Sequence, residues 1–153
     1  VEGICRLPNL RYTTFLQDEL VAVVHTGSKL SLPDEITPED LSRIPLVLRE
    51  RGSGTLDVFE RALSEHNMKL SSLNVLLYLD STESIKLFLE HTDCIGIVSI
   101  RSISRELLSG TFRVIEIKGM PMLREFCFAQ PQGQESGLSQ VLMQFAMHHN
   151  KKL

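Results

Sequence analysis

The residues best placed to do chemistry sit in one short run, R-E-R-G-S-G-T, from Arg49 to Thr55. Ahead of it Leu46, Val47 and Leu48 follow Pro45 as an apolar stretch of strand type. Behind it Leu56, Phe59 and Leu63 recur at helical spacing. The pattern predicts a strand, a tight turn and a helix that starts at Thr55. Gly52 and Gly54 let the backbone turn without a Cβ penalty, and Ser53 and Thr55 bring hydroxyls to the open N–H groups of the first helical turn. With the positive end of the helix dipole behind them, these groups form a corner ready to hold a small anion. On spacing alone a capped helix after a glycine turn is the commoner meaning of such a corner, because caps far outnumber ligand sites.

Covalent chemistry fits less well. A nucleophilic Ser53 needs a base in reach and an activating turn, yet Gly-Ser-Gly is not the G-x-S-x-G elbow and no histidine follows in a triad position. His66 closes the adjoining helix, which at roughly 1.5 Å per residue puts it more than about 15 Å away. No lysine follows Gly54, so the turn is not a phosphate-binding P-loop. The chain is expected not to be an enzyme. Ser81 and Thr82 offer a second hydroxyl pair, but Asp80 and Glu83 flank them and would repel an anion, which favours helix capping. Ser99 and Arg101 follow a strand end, where open α/β sheets bind ligands, although Arg101 also reads as a solvated charge. Cys5, Cys94 and Cys127 are odd in number, far apart and set in apolar segments, which argues for buried inert thiols rather than a disulfide framework. His25, His66 and His91 are scattered, while His148 and His149 suit a helix C-terminus. No metal site or cofactor is expected.

The elements that must position these residues alternate in type. Arg11 to Leu16 and Leu20 to Val24 read as two extended segments. Thr37-Pro38-Glu39-Asp40 is a helix start, with Thr37 as cap and proline at the first helical position. A strand from Leu73 to Leu79, a helix capped at Asp80-Ser81-Thr82-Glu83 with Ile85, Phe88 and Leu89 on its apolar face, and a buried strand from Cys94 to Ser99 follow. Then come a short helix from Ser102 to Leu108, strands from Phe112 to Ile117 and from Arg124 to Ala129, and a closing helix faced by Leu138, Val141, Leu142 and Phe145. Strands alternating with helices predict an α/β fold with a mostly parallel sheet.

At 153 residues the chain is long enough to bury a sizeable core as one domain or two small lobes. A net charge of -3 offers no general attraction to nucleic acid or acidic lipid. No apolar run approaches a membrane span, and Val1 to Arg6 lack the order of a signal peptide, so a cytoplasmic location without membrane contact is expected.

Four blocks in order carry a resemblance: R-E-R-G-S-G-T, S-T-E-S-I-K from Ser81 to Lys86, G-I-V-S from Gly96 to Ser99, and S-R-E-L from Ser104 to Leu107. Together with V-E-G at the start, then L-R-Y and D-E-L-V-A-V-V, they resemble the effector-binding domain of LysR-type transcriptional regulators. The resemblance covers essentially the whole chain. It implies a two-lobed α/β fold like the type 2 periplasmic binding proteins, with a complete second lobe over 21–117 and a partial first lobe from 1–20 and 118–153. The winged helix-turn-helix that reads DNA is expected to be absent from this chain. Strands such as Arg124 to Ala129 are expected to be short of sheet partners and open to self-association.

By the same resemblance a small, anionic effector binds between the lobes and biases their angle. The matching contacts are Ser53, Gly54 and Thr55, with Glu2 and Gly3 at the lobe junction; Ser99 joins the expected effector contacts through its place past a strand end. The implied partners are the effector, further copies of the chain in a dimer or tetramer of the full-length regulator, and DNA through the missing domain only. Leu73 to Glu90 matches the segment that pairs between subunits. The alternative within this fold is a solute-binding protein of a transporter, which the three cysteines and the lack of an export signal disfavour.

Overall fold

The computed structural model describes residues 7–133 and 137–150. Glu2, Gly3 and Cys5 lie outside the described residues. The chain divides into two compact units, Val1–Asp18 with Arg124–Leu153, and Glu19–Leu123.

The larger unit holds most of the sheet. Its elements are the second half of β1 (Leu10–His25), then β2 (Glu35–Ile36), β3 (Leu46–Arg49), α1 (Gly54–Glu65), β4 (Val75–Leu79), α2 (Thr82–His91), β5 (Ile95–Ser99), α3 (Ser104–Leu108) and β6 (Phe112–Ile117). Strand order is β2-β6-β1-β5-β3-β4. The expected α/β character holds, but the sheet is mixed rather than mostly parallel. β3 runs parallel to β4 and β5, because α1 and α2 form the crossovers between them, and β2 runs parallel to β6. β1 is antiparallel to both of its neighbours here, β5 and β6.

Period-2 alternation splits the core between two faces of this sheet. Leu20, Ala22, Leu46, Leu48, Ile95 and Ile97 pack with Leu56, Phe59 and Leu63 of α1 on one face. Val21, Val23, Val47 and Val98 pack with Ile85 and Leu89 of α2 on the other. A Cβ on Gly96 would stand 3.0 Å from Ile85 and 3.1 Å from Leu89, so a glycine in β5 lets α2 approach this closely. The predicted Thr37 start opens a 3-10 turn, Pro38–Ser42, in which the Asp40 carboxylate accepts from both the backbone N–H and the hydroxyl of Thr37 at 2.9 Å.

Instead of two extended segments, β1 is one strand that runs through Gln17-Asp18-Glu19 without a break. The polar residue that reads as a break is satisfied inside the fold. Asp18 Oδ2 accepts from Arg124 Nε at 2.8 Å and from Nη2 at 2.7 Å, with the Asp18 side chain only 1% exposed. Arg124 lies on β7 (Leu123–Pro131), which pairs with β1. Thr14 bonds Glu125 and Arg11 bonds Gln130, so position numbers rise on one strand as they fall on the other, the antiparallel relation. Phe15 stacks at 4.7 Å on Phe128. The closing helix forms as α4 (Gly137–Asn150), and Leu138, Val141, Leu142 and Phe145 on its apolar face are exposed.

Candidate functional site

β3, β4 and β5 are parallel, so the corners that follow their C-terminal ends share one edge of the sheet. Each of these corners carries a serine whose hydroxyl accepts a backbone N–H of the next element. Ser53 Oγ accepts from Leu56 at 3.2 Å, Ser81 Oγ from Ser84 at 3.1 Å, and Ser99 Oγ from Arg101 at 3.2 Å. Three hydroxyl caps thus lie where open α/β sheets receive ligands.

The β3 corner is the best developed. Gly52 has φ +89, a conformation that favours glycine, and the chain reverses there. Gly54 does not share that role. It is the first residue of α1, one position earlier than the predicted helix start, and its conformation is helical. Ser53 is the N-cap, with extended φ -78 and ψ 138. Ser53 and Thr55 are both buried. A hydroxyl that accepts from Leu56 still has its own proton to donate, so capping and anion contact are compatible for Ser53.

Charge at this corner is arranged around Arg49, whose role the sequence does not reveal. Its guanidinium grips Glu50 through Nε at 2.8 Å and Nη2 at 3.1 Å, and Nη2 also reaches the Asp80 carbonyl at 3.1 Å, joining the ends of β3 and β4. The Arg49 bond holds the Glu50 carboxyl below its usual range against the opposing effect of burial. Arg49 is therefore offset by Glu50, which leaves the helix dipole and first-turn amides of α1 as a source of positive potential at this corner. Arg51, exposed within the turn, adds a cation two residues from Ser53. A basic residue inside a glycine turn is the signal that could have singled it out.

At the β4 corner, Ser81 also shares a 2.7 Å bond with Ser84 Oγ, the capping role expected for it. At the β5 corner, the Ser99 carbonyl accepts from Ser102 Oγ at 2.6 Å, which closes the 3-10 turn Ile100–Ile103. His66 caps the far end of α1 and its ring bonds the Gly119 carbonyl, as far from Ser53 as the helix allows. Cys94 and Cys127 are buried thiols outside any disulfide, and Cys127 Sγ lies 3.5 Å from Thr14 Oγ1. Among the described residues no three His, Cys, Asp or Glu side chains group as metal ligands, and no helix is long and apolar enough to cross a membrane. A cavity of about 470 Å³ in the larger unit is lined by β1, β6 and the Gly119–Met122 segment. Of the predicted corners only that of β5 borders it, through Ile100.

Residues 1–151 match the family model described as the LysR substrate binding domain. The chain belongs to this family. The HTH-type transcriptional activator CmpR of Synechocystis is 29% identical over 144 residues, covering 94% of this chain and 46% of CmpR. The chain thus spans less than half the length of that curated relative. The regulatory domain of Synechocystis CcmR, solved in complex with 2-PG, superposes with a TM-score of 0.82 at 23% identity, covering all of this chain and 73% of that one. The effector-binding domain of QuiR, solved with shikimate, has a TM-score of 0.75 at 20% identity and covers 95% of this chain and 67% of that one. The fold is therefore that of LysR effector-binding domains, a periplasmic-binding-protein-like α/β fold. This LysR-type domain is a ligand-binding regulatory module by family, and relatives such as CmpR are transcriptional regulators.

Proposed function

We propose that this chain is the sensing part of a cytoplasmic LysR-type transcription regulator and takes a small anionic effector at the β3–α1 corner. The observation that carries the reading is the start of α1: a buried, hydroxyl-lined helix N-terminus just past a parallel strand end, in a chain of a ligand-binding family. Ser53 and Gly54 would present a hydroxyl and an amide to the anion, and Thr55 would add its hydroxyl. Ser99, at the same sheet edge, would be a further contact, and Glu2 and Gly3 complete the proposed set. The expected lobes, 21–117 and 1–20 with 118–153, belong to this proposal.

The effector would act by binding one arrangement of the full-length oligomer more tightly than another, since only differential affinity shifts an equilibrium. DNA contact would belong to a separate helix-turn-helix domain. Subunit contact would use the 73–90 segment. There Leu76, Leu77 and Tyr78 are exposed on the edge strand β4, and Leu87 is exposed on α2.

Shikimate, which QuiR binds, is a carboxylate, and this guides the choice of probes. The test is calorimetric titration of the chain with 2-PG, shikimate and inorganic phosphate, repeated on Thr55→Ala. The expected result is saturable binding of at least one probe that the substitution weakens about tenfold or more, the loss of a bond to a charged group. Binding that ignores Thr55→Ala, or no binding by any probe, would return the corner to a plain helix cap.

A further inference from the structure

Two charged residues of the motif blocks, Lys86 of S-T-E-S-I-K and Glu106 of S-R-E-L, meet in the fold across twenty positions of sequence. Lys86 Nζ stands 2.7 Å from Glu106 Oε1, 2.8 Å from Glu83 Oε1 and 3.2 Å from the Ser102 carbonyl. An ammonium has three protons, and all three have acceptors here. Lys86 is 12% exposed and Glu106 22%, whereas Glu83 lies in solvent at 79%, so the Glu106 and Ser102 bonds are the sheltered ones. Among the described residues Glu106 Oε2 is buried without a hydrogen-bond partner, which makes Lys86 the principal compensation for that carboxylate.

The Ser102 bond leads back to the β5 corner. Ser102 donates to the Ser99 carbonyl, and Ser99 Oγ accepts from the Arg101 amide, so the 3-10 turn is closed on Ser99 from both sides. Lys86 reaches this turn from α2. We infer that Lys86 is the positioning residue of the β5 corner, fixing the Ile100–Ile103 turn and with it the Ser99 hydroxyl, and tying that corner to α2. The inference rests on the reading of Ser99 as an effector contact and names what holds it. It also gives the proposed subunit-contact helix a direct mechanical link to a ligand contact, through side-chain bonds rather than through the sheet.

Packing is the competing explanation for the order of this turn, since Ile103 and Ile85 are both fully buried in the same cluster. Lys86→Met keeps the apolar stem and removes the ammonium. Because it strands Glu106, the double variant Lys86→Met/Glu106→Gln is tested beside it, together with Lys86→Arg. Hydrogen exchange of the Arg101 amide, the group bonded to Ser99 Oγ, is read in the ligand-free chain, and shikimate and inorganic phosphate are titrated in parallel. The expected result is Arg101 exchange faster by about tenfold in both methionine variants, with amides of α1 unchanged and most protection restored by Lys86→Arg. Affinity for the bound probe should fall in the same variants. Unchanged Arg101 exchange in a folded double variant, or no rescue by arginine, overturns the inference. Faster exchange with unchanged affinity overturns the link to Ser99 as a ligand contact. Faster exchange in variants of a chain that binds no probe supports the positioning role and overturns the effector reading alone.

Discussion

Replacing Ser53 separates the helix cap from the ligand contact. Its Oγ takes the Leu56 N–H at 3.2 Å, and both residues are buried, so truncation to alanine leaves a sheltered donor without its acceptor. An N-cap serine is worth about 1 kcal/mol over alanine, and the burial places this one in the upper part of the ~0.5–2 kcal/mol range. For a chain of this size that is a fall of roughly 2–4 °C in Tm per kcal/mol. Glycine at the same position costs only a few tenths of a kcal/mol, and the extended φ -78 and ψ 138 strain neither substitute. The two variants therefore differ in stability but are equal in what they remove from an anion, the donated O–H. Urea unfolding and probe titration on both should give a stability loss for Ser53→Ala several times that of Ser53→Gly. Affinity should fall equally in both, by about tenfold or more. Affinity that tracks stability, with alanine worse than glycine, would show that the hydroxyl serves the helix alone. Unchanged stability in Ser53→Ala would refute the cap itself.

Gly52→Ala should destabilise by about 1–2 kcal/mol in urea, because no atom of the described residues lies within 4 Å of the added Cβ and the positive φ is the cost. Arg124→Met should cost about 3–5 kcal/mol by removing the ion-pair partner of the buried Asp18 carboxylate, and adding Asp18→Asn should recover part of it; equal stability of the single and double variants would argue against the pair. Burial, and then the charge of Asp93, push the Cys94 thiol up to about 11, so it stays protonated at pH 7 to 9 and should react with a thiol reagent only at the rate of unfolding. The Lys86 bond holds the Glu106 carboxyl below its ordinary 4.5, outweighing burial. Its contribution is complete above that value and is lost as pH falls through the lower folded value. The acid limb of the stability profile should therefore flatten in Lys86→Met/Glu106→Gln.

Much of the local structure was legible because its causes lie within a few residues. The strands ending at Arg49 and Ser99 show as apolar runs, and the helix starts at Ser53 and Ser81 show as hydroxyls three positions before the N–H groups they accept. The order of four short blocks pointed to the family that the model match establishes. What escaped depended on partners far along the chain. The polar run Gln17-Asp18-Glu19 separated two expected segments; in the fold Arg124, 106 positions on from Asp18, bonds that carboxylate and the strand continues. The antiparallel course of β1 and the Lys86–Glu106 bond likewise need elements that only folding brings together. The sequence by itself determined where strands and helices begin and which corners carry hydroxyls, because dihedral preference, periodicity and capping act over three or four residues. Tertiary structure alone decided which strands run together, which charges could be buried, and what holds Ser99 in place, because those energies exist only between groups brought close from distant parts of the chain.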